Sequence, residues 1–276
     1  MQWKIRDRKI EFDRTWIAGI LNITPDSFSD GGLCLSPEDA LKRAEAMLAE
    51  GADMLDLGSE STRPGADTVN AKEELVRLLP VLKALRKRTV VPISIDTSKT
   101  EVARECINEG ADIINDVSGL SVSGETMARV VADSGCGLIL MHMRGTPKTM
   151  QTLTQYSNVT SDVLSELNEK VYSACAGGVD LLQIAVDPGL GFAKTAEQNI
   201  ELMRHAGLFH KMGRPIMLGP SRKAFIGKVT GKEAQQRDCG TAGAAAFAVL
   251  QGIHMIRVHN VSCVRDAVKM IEAIKE

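Results

Sequence analysis

The stretch EGADMLDLG, residues 50–58, recurs in related form along the chain. The similar segments are EGADIINDV (109–117), GGVDLLQIAVDPG (177–189) and QGIHMIRVH (251–259). In each segment a glycine ends a helical pattern, as expected at the left-handed position that closes a helix, and a short apolar run then ends in a polar residue. An apolar run without alternation is typical of a strand that is covered on both faces. The repeat therefore predicts helix-to-strand joints along the chain.

Other apolar runs complete a set of eight predicted strands. The strands cover about 16–22, 53–58, 91–96, 112–116, 137–142, 182–187, 215–219 and 253–258. Helical patterns separate most of them, at 36–51, 70–88, 99–109, 124–134, 159–176, 197–210, 238–251 and 261–275. Eight β-α units in 276 residues predict an α/β fold of the (β/α)8 TIM-barrel type, with a doubly wound open sheet as the alternative. The first residues, WKIRDRKIEF (3–12), alternate and predict a short N-terminal β-hairpin that covers the barrel bottom.

Composition limits the class of protein. A net charge of −2 argues against a partner that is nucleic acid or an anionic membrane, because both require a basic face. The six cysteines have no zinc-finger or CxxC spacing, and the charged N-terminus lacks the apolar core of a signal peptide. We therefore expect free thiols and a cytoplasmic location. No linker divides the sequence, so residues 1–276 are expected to form a single domain.

Nearly every predicted strand ends in a polar residue. These residues are Asn22, Asp56, Asp96, Asn115, His142, Asp187, the group Ser221-Arg222-Lys223, and Arg257 with His259. A barrel gathers the carboxyl ends of its strands around one mouth, where barrel enzymes keep their active sites. One polar strand end is usually only a cap, but eight of them predict a binding site.

The charges at these ends are also ordered along the chain. Carboxylates and an amide end strands 3, 4 and 6, whereas cations follow strands 7 and 8, where barrels often bind phosphate. The pattern predicts an acceptor-rich pocket for a flat ring such as a guanine-like heterocycle, beside a cationic pocket for a phosphate or diphosphate. Structural alternatives to a binding site remain open. Asp96 and Asp187 could form ion pairs with Lys223, the Ser-Arg-Lys group could be an ordinary helix start, and His142 could be a core or pocket histidine. The GLGF run (189–192) does not fit a dinucleotide fingerprint.

Eight motifs make the chain resemble the bacterial dihydropteroate synthases over nearly its whole length. They are ILNITPDSFSDGG (20–32), ESTRPGA (60–66), SIDTSK (94–99), IND (114–116), LMHMRGTPKTMQ (140–151), DPGLGF (187–192), PSRKAFIG (220–227) and IRVH (256–259). The resemblance implies a barrel, commonly a homodimer, that binds pterin. It implies condensation of 6-hydroxymethyl-7,8-dihydropterin diphosphate with 4-aminobenzoate, giving 7,8-dihydropteroate and pyrophosphate for folate biosynthesis, with Mg²⁺ as cofactor and sulfonamides as inhibitors.

The same resemblance implies roles for individual residues. Those implied on the pterin side are Asp96, Asn115, Met141, Asp187, Phe192, Gly219, Lys223 and Arg257. Those implied on the side of aminobenzoate and the two long loops are Phe28, Thr62, Arg63, Pro64 and Ser221. Arg63, Lys223, Arg257 and His259 are the implied catalytic residues, and Asn22 is the implied metal ligand. Phe28 is expected to close over the aminobenzoate ring, and the chemistry is expected to follow an SN1-like path.

Three positions depart from the usual family pattern: Ser59, Ala224 and Asn260. None of them removes a group named above, but Ser59 could shift the second loop. Two other readings remain. One is a methyltransferase domain that binds methyltetrahydrofolate, and the other is an inactive pterin-binding protein.

Overall fold

The computed structural model describes residues 1–24, 36–63 and 65–275. Its strands are β1 (Gln2–Ile5), β2 (Arg8–Glu11), β3 (Trp16–Asn22), β4 (Met54–Gly58), β5 (Ile93–Asp96), β6 (Ile113–Asp116), β7 (Gly137–Met141), β8 (Ile184–Asp187), β9 (Met217–Leu218) and β10 (Met255–Val258). Its α-helices are α1 (Pro37–Ala49), α2 (Ala71–Arg86), α3 (Thr100–Asn108), α4 (Gly124–Ser134), α5 (Val159–Ala176), α6 (Ala196–Arg204), α7 (Ala224–Thr230), α8 (Asp238–Leu250) and α9 (Val261–Lys275).

Eight parallel strands form the barrel, in the order β8-β7-β6-β5-β4-β3-β10-β9. A parallel bridge between Val186 and Ile216 links β8 to the segment that leads into β9, and so brings the two ends of the sheet together. The helices pack around this sheet, and the main core lies between strands and helices. The predicted (β/α)8 barrel is confirmed, and the alternative of an open doubly wound sheet is wrong.

The helices begin where the local chemistry predicts. Ser36 caps α1 by accepting a hydrogen bond from the Asp39 N–H, and Pro37 occupies the first turn, where its missing N–H costs nothing.

The structure differs from the prediction near the end of the chain. Helix α7 follows the Ser-Arg-Lys group, where the predicted set of helices has no member and only the alternative of an ordinary helix start allows one. The predicted helix at 197–210 is α6 followed by a 3-10 segment at Ala206–Met212.

The N-terminal hairpin is confirmed and closes the bottom of the barrel. Strands β1 and β2 pair antiparallel, with Gln2 opposite Glu11. Trp3 is fully buried and shares a core cluster with the first residues of several barrel strands, among them Met54 and Met255. Its indole Nε1 donates a hydrogen bond to the carbonyl oxygen of Gln183 at 2.7 Å. The open end of the barrel is therefore the mouth at the carboxyl ends of the strands.

No helix in the described parts of the chain is long and apolar enough to cross a bilayer.

Candidate active site

Strand register brings the polar strand ends to one level. Asn22 lies opposite Gly58, Gly58 opposite Asp96, and Asp96 opposite Asn115, across four neighbouring strands. On the other side of the mouth, Asp187 lies opposite Met141. Parallel strands all point the same way, so residues far apart in sequence meet at one edge. The predicted polar ring at the mouth is therefore present.

Arg257 lies between two carboxylates at the centre of this ring. Its Nη2 donates to Asp96 Oδ2 at 2.7 Å, and its Nε donates to Asp56 Oδ2. The amide nitrogen of Asn115 donates to the same Asp56 oxygen at 3.2 Å. Asp56 was noted in the sequence only as a polar strand end. Its place at the end of the repeated stretch was the available signal, but nothing local showed that it holds Arg257.

Two buried acceptors in this ring remain without a partner among the described residues. They are Asp56 Oδ1 and Asn115 Oδ1. A buried oxygen without a hydrogen bond carries a desolvation penalty of about 1–3 kcal/mol. The ring therefore offers acceptor atoms that a ligand with N–H donors would satisfy.

Asp187 and Lys223 face the same pocket from β8 and from the start of α7. Asp187 Oδ1 accepts a hydrogen bond from the Gly189 N–H at 2.7 Å, and burial raises the pKa of Asp187 to about 6. Burial, and to a smaller extent the charge of Arg257, lower the pKa of Lys223 to about 8. The Lys223 ammonium lies 4.1 Å from the centre of the Phe192 ring. In the described chain Asp96 forms its ion pair with Arg257 at 2.7 Å, so the partner differs from the Lys223 of the ion-pair alternative.

One wall of the pocket is apolar. Met141 and Phe192 belong to a small buried cluster separate from the main core. Its other members are Val117, Met143, Met150 and Ala193. An apolar wall beside the polar strand ends of the mouth is suited to contact the flat face of a heterocycle.

Ser221 and His259 form a hydrogen-bonded pair at the cationic side. The backbone N–H of His259 donates to Ser221 Oγ at 3.1 Å, and the same oxygen lies 2.9 Å from His259 Nδ1, within hydrogen-bond distance. Burial lowers the pKa of His259 to about 3, and Arg257 acts in the same direction. The imidazole is therefore neutral near pH 7. Ser221 bonds His259 and does not cap α7, so the Ser-Arg-Lys group is not an ordinary helix start.

The remaining predicted residues surround these two pockets. The charge of Arg63 lies close enough to lower the pKa of both Lys223 and His259, although burial is the larger cause for each. Thr62 precedes Arg63 in the segment after β4. A Cβ on Gly219 would lie 3.9 Å from that of Arg257, so this position borders the central arginine. Phe28 and Pro64 lie outside the described residues.

His142 lies behind the apolar wall and not at the mouth. It is fully buried, its Nε2 lies 2.9 Å from Glu166 Oε2, and its Nδ1 lies 3.0 Å from the Lys194 ammonium. Sequence reasoning assigned His142 to the core or pocket but missed Glu166 and Lys194. Neither of these ends a strand, so the strand-end pattern could not have found them.

Among the positions that depart from the family pattern, Asn260 has clear partners. Its amide nitrogen donates to Asp238 Oδ2 at 2.9 Å, and its Oδ1 accepts from the Cys263 N–H at 3.1 Å at the start of α9. Ala224 is exposed as the first residue of α7. Ser59 is fully buried, and its hydroxyl oxygen has no partner in the described structure.

Comparisons with known proteins agree with this geometry. The family model described as "Pterin binding enzyme" matches residues 18–259. A dihydropteroate synthase from Synechocystis is 45% identical over 95% of this chain and 90% of its own length. A crystal structure of Yersinia pestis dihydropteroate synthase in complex with a sulfonamide drug has a TM-score of 0.94 and 37% identity, and covers 100% of this chain and 99% of the other. The Xanthomonas albilineans dihydropteroate synthase with 4-aminobenzoic acid has a TM-score of 0.92 and 37% identity, with coverages of 100% and 99%. The chain therefore belongs to the dihydropteroate synthase family of pterin-binding enzymes.

Proposed function

We propose that the barrel mouth condenses 6-hydroxymethyl-7,8-dihydropterin diphosphate with 4-aminobenzoate to give 7,8-dihydropteroate and pyrophosphate. The observation that carries this proposal is the set of acceptors Asp96, Asn115 and Asp187 at the mouth, of which Asn115 Oδ1 is buried without a partner among the described residues. They lie beside a group of cations formed by Arg257, Lys223 and Arg63. A dihydropterin ring presents several N–H donors to acceptors, and its diphosphate requires cations. The sulfonamide and 4-aminobenzoic acid in the two related crystal structures support the second substrate and the class of inhibitor.

The pterin ring binds at the acceptor side in this proposal. Asp96, Asn115 and Asp187 accept hydrogen bonds from its N–H groups, while Lys223 donates to a ring oxygen or nitrogen. Met141, Phe192 and Gly219 line its faces, and Arg257 stacks on the ring and reaches the diphosphate. The positions of these residues support the roles proposed for them, since each residue lies at the mouth or in the apolar wall beside it.

The diphosphate binds at the cationic side. Arg63 and Arg257 contact its oxygens in this proposal. The proposal also takes His259 Nδ1 as the acceptor of the Ser221 hydroxyl, which lies 2.9 Å away, so that Nε2–H of the neutral ring donates to the diphosphate. These groups stabilise the negative charge that grows on the leaving pyrophosphate, as preorganised donors do in other enzymes. The acceptor ring tolerates positive charge on the pterin methylene, which favours an SN1-like path. The bond to pyrophosphate breaks first, the arylamine nitrogen then attacks the methylene carbon, and the nitrogen releases a proton.

Mg²⁺ is part of the proposal, with Asn22 as its protein ligand. Mg²⁺ typically takes one or two protein oxygens and completes its shell with water and substrate phosphates. The described residues contain no group of three or more His, Cys, Asp or Glu that could hold a metal. The amide oxygen of Asn22 lies 3.8 Å from the point where a side chain on Gly58 would begin, so the neighbouring strand leaves space beside it. This donor set fits an ion that arrives with the diphosphate and, when bound, neutralises its charge.

The aminobenzoate side is formed by the long loops. Thr62, Arg63 and Ser221 border the cationic pocket in this proposal, and Phe28 and Pro64, which lie outside the described residues, complete it. The family resemblance implies that Phe28 closes over the aromatic ring once the pterin diphosphate is bound, an expectation on a residue that lies outside the described ones. If so, Phe28→Ala raises the KM for aminobenzoate, and an unchanged KM would contradict the lid.

Pyrophosphate release tests the function directly. We expect release from the pterin diphosphate and Mg²⁺ only when 4-aminobenzoate is present, with one dihydropteroate formed for each pyrophosphate. Chelation of Mg²⁺ should suppress both. Tight pterin binding without release would instead indicate an inactive pterin-binding protein, and transfer from methyltetrahydrofolate would indicate a methyltransferase.

Arg257 provides the sharpest residue test of the mechanism. Arg257→Ala removes the central cation, and we expect a loss of about 2–4 kcal/mol of transition-state stabilisation, as for an oxyanion donor. The exposed Arg129, which pairs only with Glu125 on its own helix, provides the control variant Arg129→Ala. A loss below about threefold for Arg257→Ala would reject its role.

We also propose that the protein is a homodimer. Helices α8 and α9 pack against each other, and both expose large apolar side chains, namely Phe247 and Leu250 on α8 and Met270 and Ile274 on α9. A second copy that covers this surface would bury all four side chains. Phe247→Asp should lower the mass measured by sedimentation, whereas Tyr172→Asp, at an exposed aromatic residue of α5, should not.

A single domain in the cytoplasm completes the proposal. The eight strands of one sheet span the chain from β3 to β10, which supports one domain. Five cysteines in the described chain are free thiols, which supports a reducing compartment. Limited proteolysis and fractionation of cells are the corresponding tests.

A further inference from the structure

Lys194 is a buried lysine that the mechanism above does not use. The residue is only 3% exposed. Its ammonium has three acceptors: His142 Nδ1 at 3.0 Å, the Gly189 carbonyl at 3.0 Å and the Phe192 carbonyl at 2.9 Å. Burial of a charged group is costly unless it is fully hydrogen-bonded. Burial lowers the pKa of Lys194 to about 7, and the three acceptors satisfy all three N–H groups of its charged form.

Two of the acceptors belong to the loop that carries the pterin side of the active site. The Gly189 N–H holds Asp187 Oδ1 at 2.7 Å, while its carbonyl faces Lys194. The Phe192 carbonyl faces Lys194, while its ring faces Lys223. Lys194 therefore binds the back of the loop whose front presents a carboxylate and an aromatic ring to the pocket.

The backbone of this loop requires an anchor of this kind. Gly189 and Gly191 have φ angles of 72° and 85°, and Ala193 has a φ of 50°, in the left-handed region that residues with a Cβ rarely adopt. A Cβ on Gly189 would come within 2.0 Å of the His142 carbonyl oxygen, so the loop lies directly on β7. Such a conformation persists only where surrounding contacts hold it.

The third acceptor connects Lys194 to a carboxylate at the surface. Since the Lys194 ammonium donates to His142 Nδ1, the proton of the neutral imidazole lies on Nε2. The Nε2–H then donates a hydrogen bond to Glu166. Burial lowers the pKa of His142 to about 4, so the ring is neutral near pH 7. Glu166 is also held by Arg144, whose Nε lies 3.1 Å from each carboxylate oxygen. The negative charge of Glu166 thus stabilises the ammonium through a neutral histidine.

We propose that Lys194 is a positioning residue for pterin recognition, which fixes Asp187 and Phe192 through the carbonyls of Gly189 and Phe192, with Glu166 supporting it through His142. This inference rests on the proposed function, because it assigns Asp187 and Phe192 to the pterin. It predicts that loss of Lys194 weakens the binding of the pterin substrate and leaves aminobenzoate binding intact.

The test compares Lys194→Met and Glu166→Gln with the control Lys228→Met. Met has similar length without donors, Gln keeps the shape of Glu without its charge, and Lys228 is an exposed lysine paired with Glu197. Because a charge-assisted hydrogen bond is removed, we expect Lys194→Met to raise the KM for pterin diphosphate roughly tenfold or more. Glu166→Gln should raise it by roughly threefold, since only the supporting charge is lost. The KM for aminobenzoate should change less than about twofold in both variants, and Lys228→Met should resemble the wild type.

Each other outcome overturns the proposal. If the Lys194→Met variant folds and its KM for pterin diphosphate is unchanged, the proposal is rejected. An equal rise of both KM values also rejects the proposal, because a general loosening of the barrel would cause it. If Lys194→Met does not fold, Glu166→Gln decides alone by the same criterion. Titration with 6-hydroxymethylpterin tests Lys194 separately from the proposed function. If the wild type binds the pterin but forms no dihydropteroate, the proposed activity is contradicted. The pterin affinities of the variants then still test the role of Lys194.

Discussion

At the scale of single residues, burial sets the electrostatics of the mouth. Burial raises the pKa of Asp96, and the charge of Arg257 opposes this shift. Burial also raises the pKa of Asp187 to about 6, against the hydrogen bond from the Gly189 N–H. A carboxylate in a poorly solvated site is a strong acceptor only while it remains ionised. Recognition of a ring by these groups should therefore depend on pH within a range where most surface carboxylates do not titrate.

The first prediction concerns this pH dependence. Burial raises the pKa of Asp96 to about 7 and that of Asp187 to about 6, so their charged forms are lost as the pH falls through these values and pterin binding should weaken below about pH 7. Calorimetric titration of 6-hydroxymethylpterin between about pH 5 and 8 measures the effect. Asp187→Asn should bind less tightly at pH 8 and vary less across the range. An affinity of the wild type that is flat over this interval would contradict the assignment.

Ser59 departs from the family pattern and lies directly after β4. It is fully buried, and its hydroxyl oxygen has no partner in the described chain. Only its backbone has a clear role, since its carbonyl accepts a hydrogen bond from Arg77 Nη1 at 2.9 Å. An unsatisfied buried hydroxyl costs about 1–3 kcal/mol of desolvation, and alanine would remove that cost.

The second prediction follows for Ser59→Ala. We expect the free energy of unfolding to rise by about 1 kcal/mol, with kcat and both KM values unchanged. Urea denaturation together with steady-state kinetics measures both quantities. A loss of stability would mean that the hydroxyl makes a bond, and a changed KM for aminobenzoate would mean that Ser59 positions the second loop.

At the scale of elements, one lysine fastens the loop after β4. The Lys99 ammonium donates to Glu60 Oε2 and to Glu74 Oε1, each at 2.5 Å. Glu60 also accepts from the Val69 N–H at 2.9 Å, so it ties the two ends of the loop together. Glu74 on α2 is fully buried and accepts a further bond from Thr97 at 3.0 Å. The loop that carries Arg63 is thereby attached to β5 and α2.

The third prediction tests this attachment with Lys99→Met. Removal of one partner of a buried ion pair leaves Glu74 unpaired and should cost about 3–5 kcal/mol of stability. The released loop should also raise the KM for aminobenzoate, because Thr62 and Arg63 lose their anchor. The double variant Lys99→Met/Glu74→Gln separates the two effects. It should recover stability but not the KM, and recovery of both would reject an anchoring role for Lys99.

At the scale of the whole molecule, the hairpin and the barrel are one unit. Trp3 fills the bottom of the barrel among residues from several strands and bonds Gln183 just before β8. The mouth at the opposite end then remains open to substrates. The buried cluster around Trp3 therefore stabilises the bottom, while the active site is expected at the mouth, as is usual for this architecture.

The fourth prediction separates these two ends of the barrel. Trp3→Ala should cost about 3–5 kcal/mol, because a large buried side chain leaves a cavity. At a temperature where the variant remains folded, the KM values should match the wild type. Tyr172→Ala, at an aromatic side chain that is 76% exposed, is the control and should leave the melting temperature nearly unchanged. A large change in KM for Trp3→Ala would show that the bottom affects the mouth.

Much of the barrel and of its polar mouth could be predicted because the signals are local. Glycine after a helix, short apolar runs and polar strand ends are all read from a few neighbouring residues. Helix α7 was missed because its 7 residues are too few for a clear period. Strand β9 has only two residues, so its predicted bounds were too wide.

The sequence by itself determined the number of β-α units, the hairpin and the list of polar groups at the mouth, since each depends on short-range chemistry. Only the tertiary structure decided which of those groups meet. Arg257 lies 201 residues from Asp56 and 161 from Asp96, and their contacts depend on barrel closure and strand register. The burial of Lys194 behind the pterin side also depends on packing between β7, α5 and the loop after β8. Each of these groups has many possible partners in the sequence. The free energy of the folded structure decides between them, once packing excludes water around the groups.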